Sequence, residues 1–219
     1  MNRLAIFDCD GTLVDSQANI CLAMEDCFTR AGLDVPDRAR TRRVVGLSLV
    51  EAMQAILPDA GADTHVALAE DYKLAFQRLR GKGLVEEPLY EGVVELIDAL
   101  EADGWLLGVA TGKSDRGLRI CLEHHGLHPR FLTLQTADRH PSKPHPSMIE
   151  QAMADAGASP ETTIMIGDTT FDMEMARAAG VTPIGVTWGY HIAEELREAG
   201  AHYIASDPSE IAAFTKAFA

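Results

Sequence analysis

Short, largely apolar runs separated by helix-length segments constrain this chain more than any other feature. Residues 4–7, 106–110, 131–134, 163–166 and 182–186 are such runs, and none shows the strict alternation of a strand with one face in water. The intervening segments 92–102, 115–125, 146–156 and 170–179 have helical length, and several end near a glycine suited to a C-terminal cap. Strand and helix therefore alternate. That order predicts an α/β fold, a Rossmann-like parallel sheet with helices on both faces, whose ligands sit outside the carboxyl ends of the strands.

Residues 16–83 break this rhythm. They offer helical candidates at 17–31, 48–57 and 65–80 and no convincing strand. A chain of 219 residues, 47% of them apolar, can bury one large core and carry a sizeable insertion. We therefore read 1–15 and 84–219 as the core domain and 16–83 as an inserted all-helical cap domain. Gly81, Gly83 and Pro88 punctuate the return to the sheet.

Four polar clusters follow the apolar runs: Asp8-Cys9-Asp10, Thr111-Gly112-Lys113-Ser114, Lys143, and Gly167-Asp168 with Asp172. A parallel sheet brings all four to one edge, which makes them one candidate site. At about 4 Å and an effective dielectric near 20, each like-charged pair costs roughly 4 kcal/mol, so Asp8, Asp10, Asp168 and Asp172 need compensating charge. Lys143 and a divalent cation would supply it. Oxygen ligands without His or Cys favour Mg2+ over Zn2+.

At these residues the sequence resembles the haloacid dehalogenase superfamily, in particular its phosphoglycolate-phosphatase-like branch with a helical cap after the first strand. The resemblance runs through Asp8-Cys9-Asp10-Gly11-Thr12-Leu13-Val14-Asp15-Ser16, Thr111, Ser142-Lys143-Pro144-His145-Pro146, and Gly167-Asp168 with Asp172, essentially the whole chain. It implies a phosphatase in which Asp8 attacks phosphorus to form an aspartyl-phosphate and Asp10 moves the proton. It further implies that Thr111 and Lys143 hold the phosphoryl group, that Asp8, the Asp10 carbonyl and Asp168 bind Mg2+, and that Asp172 and Gly112 support the site. A small phosphorylated metabolite is the expected partner, with phosphoglycolate the first candidate.

Relatives resembling this fold that remove halide lack an acid at the position of Asp10, and those that cleave phosphonates place a lysine early in the cap, whereas residues 17–31 contain none. A phosphosugar mutase keeps the same Asp pair and stays open on motifs alone. A non-hydrolytic phospho-acceptor or binding module is the alternative of another class, although receiver domains are shorter and lack the insertion. In the segment 42–48, which resembles the family's specificity loop, Gly46 and Arg43 are candidate substrate residues. Arg42 and Arg43 either meet a substrate anion or form a solvated basic helix face.

Other residues carry plainer expectations. Asp15 and Ser16 read as a helix cap or turn, Gly112 as the tight turn after Thr111, and Lys113 as a solvated or helix-start cation. The histidines at 124, 125, 128, 140 and 145 read as solvated or capping, with His145 also placed for the rim of the site. Cys9, Trp188, Tyr190, Met173 and Met175 read as packing. The formal charge of −14 opposes nucleic-acid binding. No window reaches the roughly 18 apolar residues of a membrane span, and the four cysteines lack the spacing of metal or redox pairs. We expect a soluble, cytoplasmic monomer or homodimer.

Overall fold

The structure, a computed structural model, describes residues 2–217. Its sheet contains β1 (Asn2–Phe7), β2 (Trp105–Thr111), β3 (Thr133–Thr136), β4 (Ala158–Gly167), β5 (Thr182–Val186) and β6 (Tyr203–Ala205) in the order β3-β2-β1-β4-β5-β6. Every neighbouring pair is parallel. The chain builds outward from β1 to β3, then returns to β1's other side, so the strand order reverses between β1 and β4. Such a reversal opens a crevice at the carboxyl ends of the strands. Phe7 pairs with both Val109 and Ile166, so Asp8 emerges at the centre of that crevice.

Both faces of β1 are apolar because both are covered. Ala5 and Phe7 join the cluster under α5 (Val93–Ala102), α6 (Asp115–His124) and α10 (Pro208–Lys216), while Leu4 and Ile6 join the cluster under α7 (Ser147–Ala156) and α8 (Thr170–Ala178). The third strand lies two residues beyond its expected place. Phe131 is instead a core residue, packed edge-on against Phe7 with ring centroids 6.2 Å apart. The sequence reading also lacks α9 (Ala193–Glu198), α10 and β6, the last because a three-residue edge strand leaves no pattern to detect.

Between β1 and α5 the chain forms α1 (Gln17–Ala31), α2 (Arg38–Arg43), α3 (Leu49–Ile56) and α4 (Ala62–Gly81). These helices have a core of their own, including Met24, Phe28, Met53, Ile56, Leu68 and Tyr72. Their two connections to the sheet run side by side: Val14 bridges Leu89, the Asp15 amide donates to the Pro88 carbonyl at 2.8 Å, and the Tyr90 amide donates to the Leu13 carbonyl at 3.1 Å. Entry and exit thus share one short ribbon. No helix among the described residues is long and apolar enough to cross a membrane.

Phe7 is 1% exposed on the central strand. Phe7→Ala is expected to lower unfolding free energy by about 3–5 kcal/mol. Urea denaturation with an unchanged slope checks this, and a loss under 1 kcal/mol would mean the β1–α6 face repacks freely.

Candidate active site

The first strand ends and the chain turns at once. Gly11, at φ +86°, occupies backbone space that L side chains rarely adopt, and a Cβ there would lie 2.2 Å from Asp168 Oδ2. Gly167 and Gly189 are closed to side chains for the same reason: a Cβ would meet Asp172 at 2.4 Å and Asp168 at 2.2 Å respectively. Three backbone segments therefore close on the acids directly, which buries Asp8, Asp168 and Asp172 completely.

Within this cradle, carboxylate oxygens of Asp8, Asp168 and Asp172 lie within 4.8 Å of one another. The buried Lys143 ammonium sits 3.0 Å from Asp8 Oδ1 and 2.6 Å from Asp172 Oδ1. Burial alone would lower the lysine's affinity for its proton, but Asp172 and Asp8 outweigh it and hold the ammonium well above the ordinary lysine range. One cation does not balance three buried carboxylates. Accordingly, burial pushes the Asp8 carboxyl up to about 7 against the pull of Lys143, and raises Asp168 as well.

The oxygens are not equally occupied. Both oxygens of Asp172 are engaged, Oδ1 by Lys143 and Oδ2 by the Thr169 amide and hydroxyl in the capping box that starts α8. Asp168 accepts from the Thr12 hydroxyl at 3.0 Å and the Tyr190 amide at 2.9 Å. Asp8 Oδ1 accepts from the Cys9 amide at 2.6 Å, while Oδ2 is buried without a partner. An orphaned carboxylate oxygen beside a second acid, in an oxygen-only set carrying excess negative charge, fits a hard divalent cation.

Asp10 faces a different environment. Its Oδ1 accepts from the Ser16 hydroxyl and, at 2.7 Å, from Lys113. Lys113 also contacts Glu87 Oε1 at 2.8 Å, and Glu87 Oε2 pairs with Arg80 of α4 at 3.1 Å. Lys113 is thus no solvated cation: its side chain is 9% exposed and lies between two carboxylates. Its place two residues beyond the end of β2 was the available signal, but Glu87 in the return connection left none. Ser16, expected as a cap, makes no capping bond with its hydroxyl and holds Asp10 instead. The Tyr190 hydroxyl lies 3.5 Å from Ser16 Oγ, and Trp188 donates to the Thr12 carbonyl at 3.1 Å, so the loop after β5 packs over the first loop and borders the site.

Thr111 is buried at the end of β2 and lines, with Asp8, Asp10, Gly46 and Gly112, a cavity of about 540 Å³ between the helical insertion and the sheet. Gly112 has a second role besides ending the strand. A Cβ there would stand 2.6 Å from the carbonyl oxygens of Gly46 and Leu47. Arg43 does not line this cavity; its guanidinium donates to both Glu195 oxygens at 2.7 and 2.6 Å, clasping the helical insertion to the core beside it. Exposed His145 accepts from the Ser147 amide at the start of α7, and Met173 and Met175 are fully buried.

Such a site, at the switch point of a parallel sheet and under a helical insertion, agrees with comparison to known proteins. The chain belongs to the haloacid dehalogenase-like hydrolase family, whose pattern matches residues 5–186. It is 38% identical over 216 residues to the probable phosphatase IndB of Dickeya dadantii, covering 96% of this chain and 92% of that protein. It is 28% identical to the phosphoglycolate phosphatase of Xylella fastidiosa, over 88% of this chain and 83% of the relative. The crystal structure of a predicted phosphatase from Clostridium acetobutylicum superimposes with a TM-score of 0.88 at 27% identity, covering 99% of both chains. Within its family the chain is a phosphatase similar to the phosphoglycolate-phosphatase branch.

Lys113→Met leaves Asp10 and Glu87 buried without their shared cation, and is expected to cost about 3 kcal/mol of stability. Adding Glu87→Leu recovers part of that loss. Urea unfolding of wild type, both single variants and the double variant gives the coupling; strictly additive losses would show that the contact carries no energy.

Proposed function

We propose that this phosphatase hydrolyses monoesters of small phosphorylated metabolites in the cytoplasm, through a phosphoryl group carried on Asp8 and with Mg2+ as its metal. The observation that carries this reading is the state of Asp8: Oδ1 is pinned by the Cys9 amide and Lys143, and Oδ2 is buried without a partner on the floor of a cavity that also holds Asp10.

In the first step an Asp8 oxygen bonds to phosphorus as the ester P–O bond breaks, and the departing alkoxide takes a proton from the Asp10 carboxyl. In the second, water attacks phosphorus, Asp10 accepts its proton, and the bond to Asp8 breaks to release inorganic phosphate. Ser16 and Lys113 anchor Asp10 Oδ1, which leaves Oδ2 for both transfers. Thr111 and Lys143 hold phosphoryl oxygens, and Asp172 keeps Lys143 aimed. Asp8, the Asp10 carbonyl and Asp168 would hold Mg2+, which supplies positive charge to the phosphoryl oxygens. The partner is a small molecule rather than nucleic acid, consistent with the charge of −14.

Release of inorganic phosphate from a panel of monoesters with Mg2+ tests this reading. Asp8→Asn is expected to reduce turnover to background, Asp10→Asn to reduce it by roughly 10²–10⁴-fold, and chelation to abolish it reversibly. Phosphate-neutral isomerisation of a sugar phosphate, or an aspartyl-phosphate that persists without turnover, would replace hydrolysis with another outcome.

A second measurement does not depend on activity. Because the Asp8 carboxyl is raised from 3.8 to about 7, its contribution to stability is fully present below about pH 4 and is lost as pH rises through about 7. A divalent cation replaces the missing proton. Mg2+ should therefore raise the melting temperature more at about pH 8 than at about pH 5, relative to chelator; an equal gain at both would mean that it binds elsewhere.

A further inference from the structure

The cavity is large for a two-carbon alcohol. At about 540 Å³ it falls within the roughly 300–1,000 Å³ that encloses a drug-sized ligand, and its lining includes Asp8 and Asp10 beyond the end of β1. Its lining is rich in apolar side chains: Ile20 and Met24 from α1, Leu49 from α3, Tyr72 and Phe76 from α4, and Ile120 from α6. Tyr72 and Phe76 stand side by side, ring centroids 6.1 Å apart. The Tyr72 ring is buried, and its hydroxyl has no hydrogen-bond partner among the described residues.

Three of the four cations that line this cavity are ion-paired. Lys113 is held by Asp10 and Glu87, Arg80 by Glu87, and Lys73 by Glu70 at 2.7 Å. Arg43, which the sequence offered for a substrate anion, pairs with Glu195 outside it. Arg116 alone among the lining cations has no ion-pair partner within the described residues, and it is exposed on the first turn of α6. A second anionic group on the substrate would therefore find one unpaired cation, the exposed Arg116, and set against the apolar lining itself it would lose hydration without a counter-charge. A flat, uncharged body would displace water from the apolar wall instead.

Resting on the phosphatase reading above, we infer that the alcohol released by this enzyme is a bulky, uncharged, ring-bearing one, seated on the Met24–Tyr72–Phe76 wall with a polar substituent within reach of the Tyr72 hydroxyl. Phosphoglycolate, whose alcohol is small and anionic, is then a poor substrate. Selection is made along this lining, and the phosphate end is common to all substrates.

Benzyl phosphate and phosphoglycolate separate these possibilities, because both release an alkyl alcohol and differ in the body it carries. The expected result is a kcat/KM at least tenfold higher for benzyl phosphate with Mg2+. Phe76→Ala should reduce that preference about tenfold or more, and Ile120→Arg, which brings an unpaired cation to the wall, should reverse its direction. Thermal unfolding of each variant reports whether it folds. Calorimetric titration of wild type with 2-phenylethylphosphonate and 3-phosphonopropionate, non-cleavable counterparts of the two esters, reads the same preference without turnover. Equal or tighter binding of 3-phosphonopropionate, or faster phosphoglycolate turnover that still requires Asp8, overturns the inference and leaves the phosphatase reading standing. Preferential binding of the phenyl compound without turnover of any ester supports the pocket assignment and sinks the hydrolytic mechanism.

Discussion

The contact of the Lys143 ammonium with Asp8 and Asp172 is the constraint around which the rest of this site is arranged. All three side chains are essentially sealed from water. Removing the lysine would leave carboxylates in a medium where their charge is costly, and removing either acid would strand the lysine. The surroundings reduce that cost by supplying donors: the Cys9 amide to Asp8, Thr169 to Asp172, and Thr12 and the Tyr190 amide to Asp168. The glycines at 11, 167 and 189 let those donors approach. Sheet order, turn chemistry and helix capping thus serve one local problem of charge.

Two acids separated by a single residue are treated differently. Asp8 is enclosed with an unpartnered oxygen, whereas Asp10 is turned toward Ser16 and Lys113 at the wall shared with the helical insertion. Divergent surroundings for neighbouring titratable groups are how one site keeps an attacking group and a proton carrier distinct. The Asp10–Lys113–Glu87–Arg80 chain also crosses from the sheet, through the return connection, to α4. Asp10 is therefore mechanically tied to the element that carries Tyr72 and Phe76.

Much of this was legible in the sequence because it follows from short-range rules. Apolar runs without alternation marked β1, β2, β4 and β5, and their polar successors marked Asp8, Asp10, Thr111 and Asp168. What stayed hidden depends on contacts distant in the chain. Glu87 acquires meaning only beside Lys113, and Arg43 could not be told from a substrate ligand until Glu195 was found opposite it. Phe131 reads as strand by composition, yet it turns inward against Phe7 and leaves the pairing to Thr133–Thr136. Tyr190 and Gly189 lie beyond the last strong apolar run, where sequence shows an aromatic loop and nothing of its fit over Asp168.

Gly112 is missing a side chain at the place where the carbonyls of Gly46 and Leu47 come to rest. The two halves of the molecule thus meet here as bare main chain, and main chain is the one part of a protein that does not change identity as sequence drifts. At this seam the distance between insertion and sheet is set by backbone atoms and not by the size of any side chain. A methyl group at 112 would act as a doorstop, pressing on those two carbonyls and holding the insertion off the sheet.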